Sequence, residues 1–228
     1  MIPLGDHNWR RRVPVVTIAL VVLNVAVFLY QSLLPPTSRD LFVLQAAIIP
    51  RMLLTYPGLR TAATLVTSMF LHDGLLHLGG NMLYLGIFGD NVEETLGSWG
   101  FALVYLAGGV GAGLAHVITN PMSTTPTIGA SGAIAAVLGV YLAMFPKNRV
   151  RTLLVLGWFI RLVDLPAFVV LGGWFVLQIV NALGSLGLQQ AGGVAWFAHL
   201  GGFAFGLVVG GLLRGKRPAH LVQRRWYP

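Results

Sequence analysis

Long apolar runs, interrupted at a few places by Pro, Gly and Asn, dominate this chain. No Asp, Glu, Lys or Arg occurs from residue 95 to 146 or from 165 to 213, and each of these runs is more than twice the roughly 20 residues that cross a bilayer as one helix. Each therefore predicts two spans. The first divides at Asn120-Pro121 through Pro126, because proline cannot continue a helix and asparagine favours a turn. The second divides around Gly184 to Gly193, near Gln189 and Gln190. An uncharged run beginning at Val13-Pro14 and an apolar stretch that turns acidic only at Asp90, Glu93 and Glu94 add two more. The expected spans are 13–34, 74–96, 99–119, 129–145, 165–184 and 191–213. They form one domain from 13 to 213, between a short tail (1–12) and a basic tail (214–228).

Two further apolar segments are too short to span. Residues 61–71 and 152–160 would make helices of about 16 and 14 Å, against a hydrocarbon core of about 30 Å. Both are expected to lie in the interface or to re-enter. The first belongs to a long connection, 35–73, whose apolar stretches argue against a simple solvated loop and for one partly embedded in the membrane. The fold class expected is thus an all-α polytopic membrane protein of six transmembrane helices.

Composition agrees: 56% of the 228 residues are hydrophobic, 10% are charged, and the mean hydropathy is +0.76. Charge orients the bundle. With the amino terminus inside, 12 of the 15 Lys and Arg residues fall on inner segments, leaving Arg39, Arg51 and Arg60 outside. Both termini are then expected in the cytoplasm, and the membrane is expected to be a prokaryotic cytoplasmic membrane. The net charge of +8 follows from this bias and from attraction to anionic membrane lipid; no folded basic domain supports nucleic-acid binding. The absence of cysteine excludes disulfides, thiolate metal sites and cysteine nucleophiles. The first span follows an arginine triplet but has no small-x-small site before Gln31, so it reads as a retained anchor.

Polar groups at membrane depth are costly unless they face the bundle or water. With this topology the second, fourth and sixth spans run from outside to inside, and their early residues share one level. Those residues include His77 and Asn81, Ser131, and His199. Ser131, Ala135 and Gly139 form a smooth stripe at i, i+4, i+8, and His199, Gly202, Gly206 and Gly210 lie on one narrow face. Two such stripes can pack closely and bring the imidazole to the hydroxyl. A lone Gly-x-Ser-Gly in a membrane helix is usually packing; four chemically capable side chains at one depth are not. Ser131 is read as a nucleophile, His199 as its general base and later acid, and Asn81, assisted by His77, as a donor to an oxyanion. The seven acids offer His199 no obvious carboxylate, so a dyad is expected; Asp73, just before the second span, is the nearest candidate. A zinc site from His72, His77, His116 and His199 is disfavoured, because His72 and His77 lack i, i+4 spacing and a glutamate. His116 is expected to be an interhelical hydrogen-bonder. No cofactor is implied.

These residues resemble the rhomboid family of intramembrane serine proteases. The resemblance lies in TSMFLHDGLLHLGGNMLYLGIFGDNVEETLG, in GASGA around Ser131, and in AHLGGFAFG around His199, in that order over nearly the whole six-span core. It implies Ser131 as nucleophile, His199 as base, and His77, Asn81 and the Ser131 backbone N–H as the oxyanion site. It also implies transmembrane proteins as substrates, cleaved near the outer face. A non-catalytic relative that only binds transmembrane helices is the alternative, although such relatives generally lack the serine or the histidine. Two features depart from the family. No tryptophan lies between Trp9 and Trp99, so only Arg51 or Arg60 could stand in for a Trp-Arg pair in the first loop. An aromatic one turn after the nucleophile is replaced by Ala135, which leaves open what packs on His199.

Overall fold

The computed structural model describes residues 1–8, 11–185, 194–216 and 218–221. Most of them are helical. Helix α1 (Val15–Leu33) follows Pro14 and is started by a side chain from elsewhere. The buried Glu93 carboxylate accepts from the amides of Val16 (2.9 Å) and Thr17 (2.8 Å) and from the Thr17 hydroxyl (2.9 Å), filling the N-terminal vacancies that no local cap supplies.

The long first connection folds into three short helices, α2 (Pro36–Ala46), α3 (Pro50–Thr55) and α4 (Leu59–Thr67). Proline opens α2 and α3, and Pro57-Gly58 separates α3 from α4. The 61–71 segment becomes most of α4 plus a 3₁₀ turn, Ser68–Phe70, whose Ser68 and Met69 are buried. The connection is pinned to the loop before the fourth span, where Ile48 and Thr127 exchange backbone hydrogen bonds of 3.0 and 2.8 Å.

Helix α5 (Leu75–Thr119) combines the second and third expected spans, and Gly97 breaks it into two arms with φ 74° and ψ 162°. It is followed by α6 (Ser131–Met144), α7 (Ala167–Ser185) and α8 (Trp196–Leu212). By length and composition α1, α5 and α7 are apolar enough to cross a membrane, while α6 and α8 are shorter apolar helices. The break expected around Gly184 to Gly193 falls largely on residues 186–193, outside the described residues.

The centre of the bundle is α6. Every residue from Gly132 to Tyr141 is buried, which suits a helix that is apolar all round. Its seam with α8 is backbone against backbone: a Cβ at Gly202 would fall on the Gly132 carbonyl, and one at Gly206 on the Ala136 carbonyl. The α6 stripe is therefore Gly132, Ala136 and Gly139: of the expected Ser131, Ala135 and Gly139, the first two are corrected by one position and Gly139 stays. Neighbouring residues on a helix point about 100° apart, so the shift turns Ser131 and Ala135 away from the seam and into a cavity. Helix α7 leans on α8 through a stacked Phe175–Phe203 pair with centroids 4.4 Å apart, while Phe168, Val176, Leu177, Val180 and Leu183 face outward.

The all-α expectation is overturned at the far end. Strands β1 (Ile2–Asp6), β2 (Arg149–Leu156) and β3 (Phe159–Pro166) form an antiparallel sheet in that order. Ile2 pairs with Leu153 and Asp6 with Val150, with a register shift between Pro3 and Gly5. The 152–160 segment is not a short helix: β2 and β3 make a hairpin closed by Leu156 opposite Phe159, with Gly157 at φ 60° in the turn. Length excluded a span there but said nothing of the alternation, in which Val150 and Thr152 are buried and Arg149 and Arg151 exposed. The sheet docks through Asp6, whose Oδ2 accepts from Asn8 Nδ2 (2.7 Å), Asn91 Nδ2 (2.8 Å) and the Tyr141 hydroxyl (2.8 Å). Burial raises the Asp6 carboxyl to about 7 in spite of these donors.

Candidate active site

Ser131 is the first residue of α6, at the end away from the sheet. The turn into it needs Gly129, which sits at φ 120° and whose Cβ, if present, would lie 2.7 Å from His77 Nε2. The Gly129 amide donates to the Ser68 carbonyl at 2.9 Å, tying the turn to the first connection. Within α6 the first backbone bond runs from Ile134 N–H to the Ala130 carbonyl. The amides of residues 131–133 thus have no acceptor inside the helix, and the positive end of its dipole lies at the serine hydroxyl.

His199, 7% exposed, stands on the first turn of α8 with Nε2 2.7 Å from Ser131 Oγ. The two glycine-lined helices bring this pair together. On its other side, His199 Nδ1 lies 2.8 Å from Oε1 of Gln178 on α7. Beside the expected Ser131–His199 pair the histidine thus has a further partner, an amide rather than a carboxylate. Gln178 escaped the sequence reading although the signal was present, since it is a polar side chain at mid-helix in an uncharged run. The aromatic missing at Ala135 is supplied by α7 too. Trp174 lies 5.8 Å from the imidazole, centroid to centroid, and Trp196 meets it edge-on at 6.1 Å.

His77 and Asn81 lie one turn apart on α5 and face the same cavity as Ser131 and His199. This cavity is about 650 Å³ and is also lined by Asp73, Trp174 and residues 125–128. Asn81 is 7% exposed, and its Nδ2 finds no protein partner among the described residues. A buried donor without an acceptor costs about 1–3 kcal/mol and calls for an explanation; one aimed beside a nucleophile has one if charge develops there. Asp73 does not reach His199. Its carboxylate instead holds His77 Nδ1 at 2.7 Å. A carboxylate only accepts, so Nδ1 carries the proton and Nε2, which faces Gly129, is a donor only in the imidazolium.

The remaining histidines serve the surroundings. His72 is buried edge-on to His77, with centroids 5.0 Å apart, and the Gln31 amide donates to its backbone carbonyl at 2.7 Å. His116 bonds Thr127 across 3.0 Å, so it ties the end of α5 to the loop before Ser131 rather than to another helix. Among the described residues no three His, Cys, Asp or Glu side chains gather as a metal-ligand set.

Comparison with known proteins gives the same direction. Residues 60–216 match the Rhomboid domain family model. The rhomboid protease GluP of Bacillus subtilis is 35% identical over 123 residues, covering 54% of this chain and 23% of that protein. The mitochondrial rhomboid protein 1 of Saccharomyces cerevisiae is 30% identical over 199 residues, covering 84% and 51%. Rhomboid-related protein 3 of Mus musculus is 34% identical over 135 residues, covering 58% and 32%. The chain spans about half or less of the length of these relatives. They come from a bacterium, a mitochondrion and a mammal, so they give no support to the expected prokaryotic membrane.

Proposed function

We propose that this chain, which belongs to the rhomboid family of membrane proteins, is an intramembrane serine endopeptidase that cleaves transmembrane segments of other proteins. The observation that carries this reading is the 2.7 Å contact between Ser131 Oγ and His199 Nε2 in a cavity shared with Asn81. In the proposed reaction, Nε2 takes the hydroxyl proton as Oγ attacks a peptide carbonyl. The oxyanion forms near the Ser131 amide and Asn81 Nδ2, with His77, whose Nε2 lies beside Gly129, assisting. The imidazolium then gives its proton to the leaving amine, and water, activated by the same nitrogen, releases the acyl group from Ser131.

We read the helices as six spans, with α5 counted as two. The sheet and both termini lie on the cytoplasmic side, as the Lys and Arg bias requires, and Ser131 lies towards the outer face. A helical substrate hides its carbonyls in hydrogen bonds, so segments with Gly, Pro or small residues near that face unwind more easily and are preferred. The test is cleavage of tagged single-span proteins by wild type and by Ser131→Ala, with fluorophosphonate labelling alongside. Wild-type cleavage and a Ser131 adduct, both lost in the variant, support the reading. Neither signal in the wild type would make the chain a non-catalytic binder of transmembrane helices.

A further inference from the structure

We propose that Gln178 is a positioning residue that fixes the tautomer of His199 and makes the site depend on the seating of α7; the inference rests on the protease reading above. Gln178 Nε2 lies 3.4 Å from the backbone carbonyl of Trp174, one turn earlier in α7. A carbonyl oxygen has no proton to give, so the NH2 of the amide faces it and Oε1 faces His199. Oε1 likewise only accepts, so His199 Nδ1, 2.8 Å away, carries the ring proton. Nε2 is then the unprotonated nitrogen, and it is the one that meets Ser131 Oγ at 2.7 Å. A chain of forced donor and acceptor roles thus runs from the α7 backbone to the serine hydroxyl and leaves His199 in the one tautomer that can act as a base.

The amide does for orientation what a carboxylate does in a Ser-His-Asp triad, but it places no negative charge in a buried site. Gln178 is itself 6% exposed, where an ionised side chain would need a fully bonded partner. It is carried by a different helix from both Ser131 and His199. Trp174, which packs on the imidazole, shares that helix. Any displacement of α7 from α8 withdraws the acceptor and the aromatic together and frees the ring to change tautomer. The base is therefore armed when α7 is seated and disarmed when it is not.

The tautomer is read by ¹⁵N NMR of histidine-labelled full-length protein in detergent, with the His199 signals assigned by their loss in His199→Gln. Wild type shows a protonated Nδ1 and an imine-like Nε2, whereas Gln178→Leu populates the other tautomer. In kinetics, Q178L loses roughly 10- to 100-fold in kcat with KM unchanged, the range typical of losing a partner that orients a functional histidine. Gln178→Glu, whose carboxylate also accepts from Nδ1, recovers most of the rate. Its acid limb moves to higher pH, because an adjacent carboxylate favours the imidazolium. An unaltered tautomer and an unaltered kcat in Q178L overturn the proposal, and Gln178→Met replaces Q178L if the latter does not fold. If the wild type cleaves nothing, the protease reading fails, and the NMR comparison alone decides whether Gln178 sets the ring.

Discussion

Asp73 and His77 stand one helical turn apart and share a hydrogen bond of 2.7 Å from Nδ1–H to the carboxylate. The acid at the cavity's edge thus pairs with His77 and not with His199. Asp73→Ala removes the acceptor that holds the His77 ring with Nε2 beside Gly129, in the cavity shared with Ser131. Turnover is expected to fall about tenfold with KM little changed, equivalent to about 1.4 kcal/mol of transition-state stabilisation. Unchanged kcat in steady-state cleavage assays would remove His77 from the oxyanion site.

Asn81 Nδ2 is a buried donor that has no protein partner among the described residues, and it shares a cavity with Ser131. Asn81→Ala is expected to lower kcat by 10²- to 10³-fold, about 2.7–4 kcal/mol, as for other single oxyanion donors. The folded protein should be no less stable, since the deleted amide nitrogen has no partner among the described residues. A loss confined to stability, with kcat intact, would make Asn81 a structural residue.

The seam between α6 and α8 has no room for a methyl at Gly206, where a Cβ would meet the Ala136 carbonyl, whereas nothing lies within 4 Å of the corresponding atom at Gly211. Gly206→Ala is expected to cost about 1–3 kcal/mol by overpacking and to lower activity by parting Ser131 from His199. Gly211→Ala should leave both near wild type. Thermal unfolding in detergent, paired with cleavage rates, separates the two variants; equal behaviour would disprove the close-packed seam.

Asp6 sets a pH dependence at the sheet. Its carboxyl is raised from 3.8 to about 7 in the folded protein, chiefly by burial. Between those values the folded state binds more protons than the unfolded chain, so this contribution to stability is fully present below about pH 4 and is lost as pH rises through 7. The β1–β2 amides should therefore exchange faster at about pH 8 than at about pH 5 once intrinsic exchange rates are divided out. Asp6→Asn, neutral throughout, should flatten that difference, and a slope unchanged by this variant would point to another group.

What could be read in the sequence is what depends on the order of residues along the chain. Apolar runs longer than a bilayer needs, cut by proline, glycine and asparagine, placed α1, both arms of α5, α6, α7 and α8 close to their observed bounds. The cost of polar groups among apolar ones singled out Ser131, His199, His77 and Asn81 before any fold was known. The sheet was missed because length alone was weighed, although Val150 and Thr152 alternate with arginines. Partners across helices were a different matter. Whether Gly132 or Ser131 meets α8 turns on a rotation of about 100°, one residue of helix, and the seam chose Gly132. That Gln178 faces His199 likewise follows from how one helix is turned against another, whereas Asp73 and His77, four residues apart, pair locally at the start of α5. Sequence spacing determined which side chains share a helix face; only close packing of the backbones decided which faces meet, and with them which atoms come within hydrogen-bond distance.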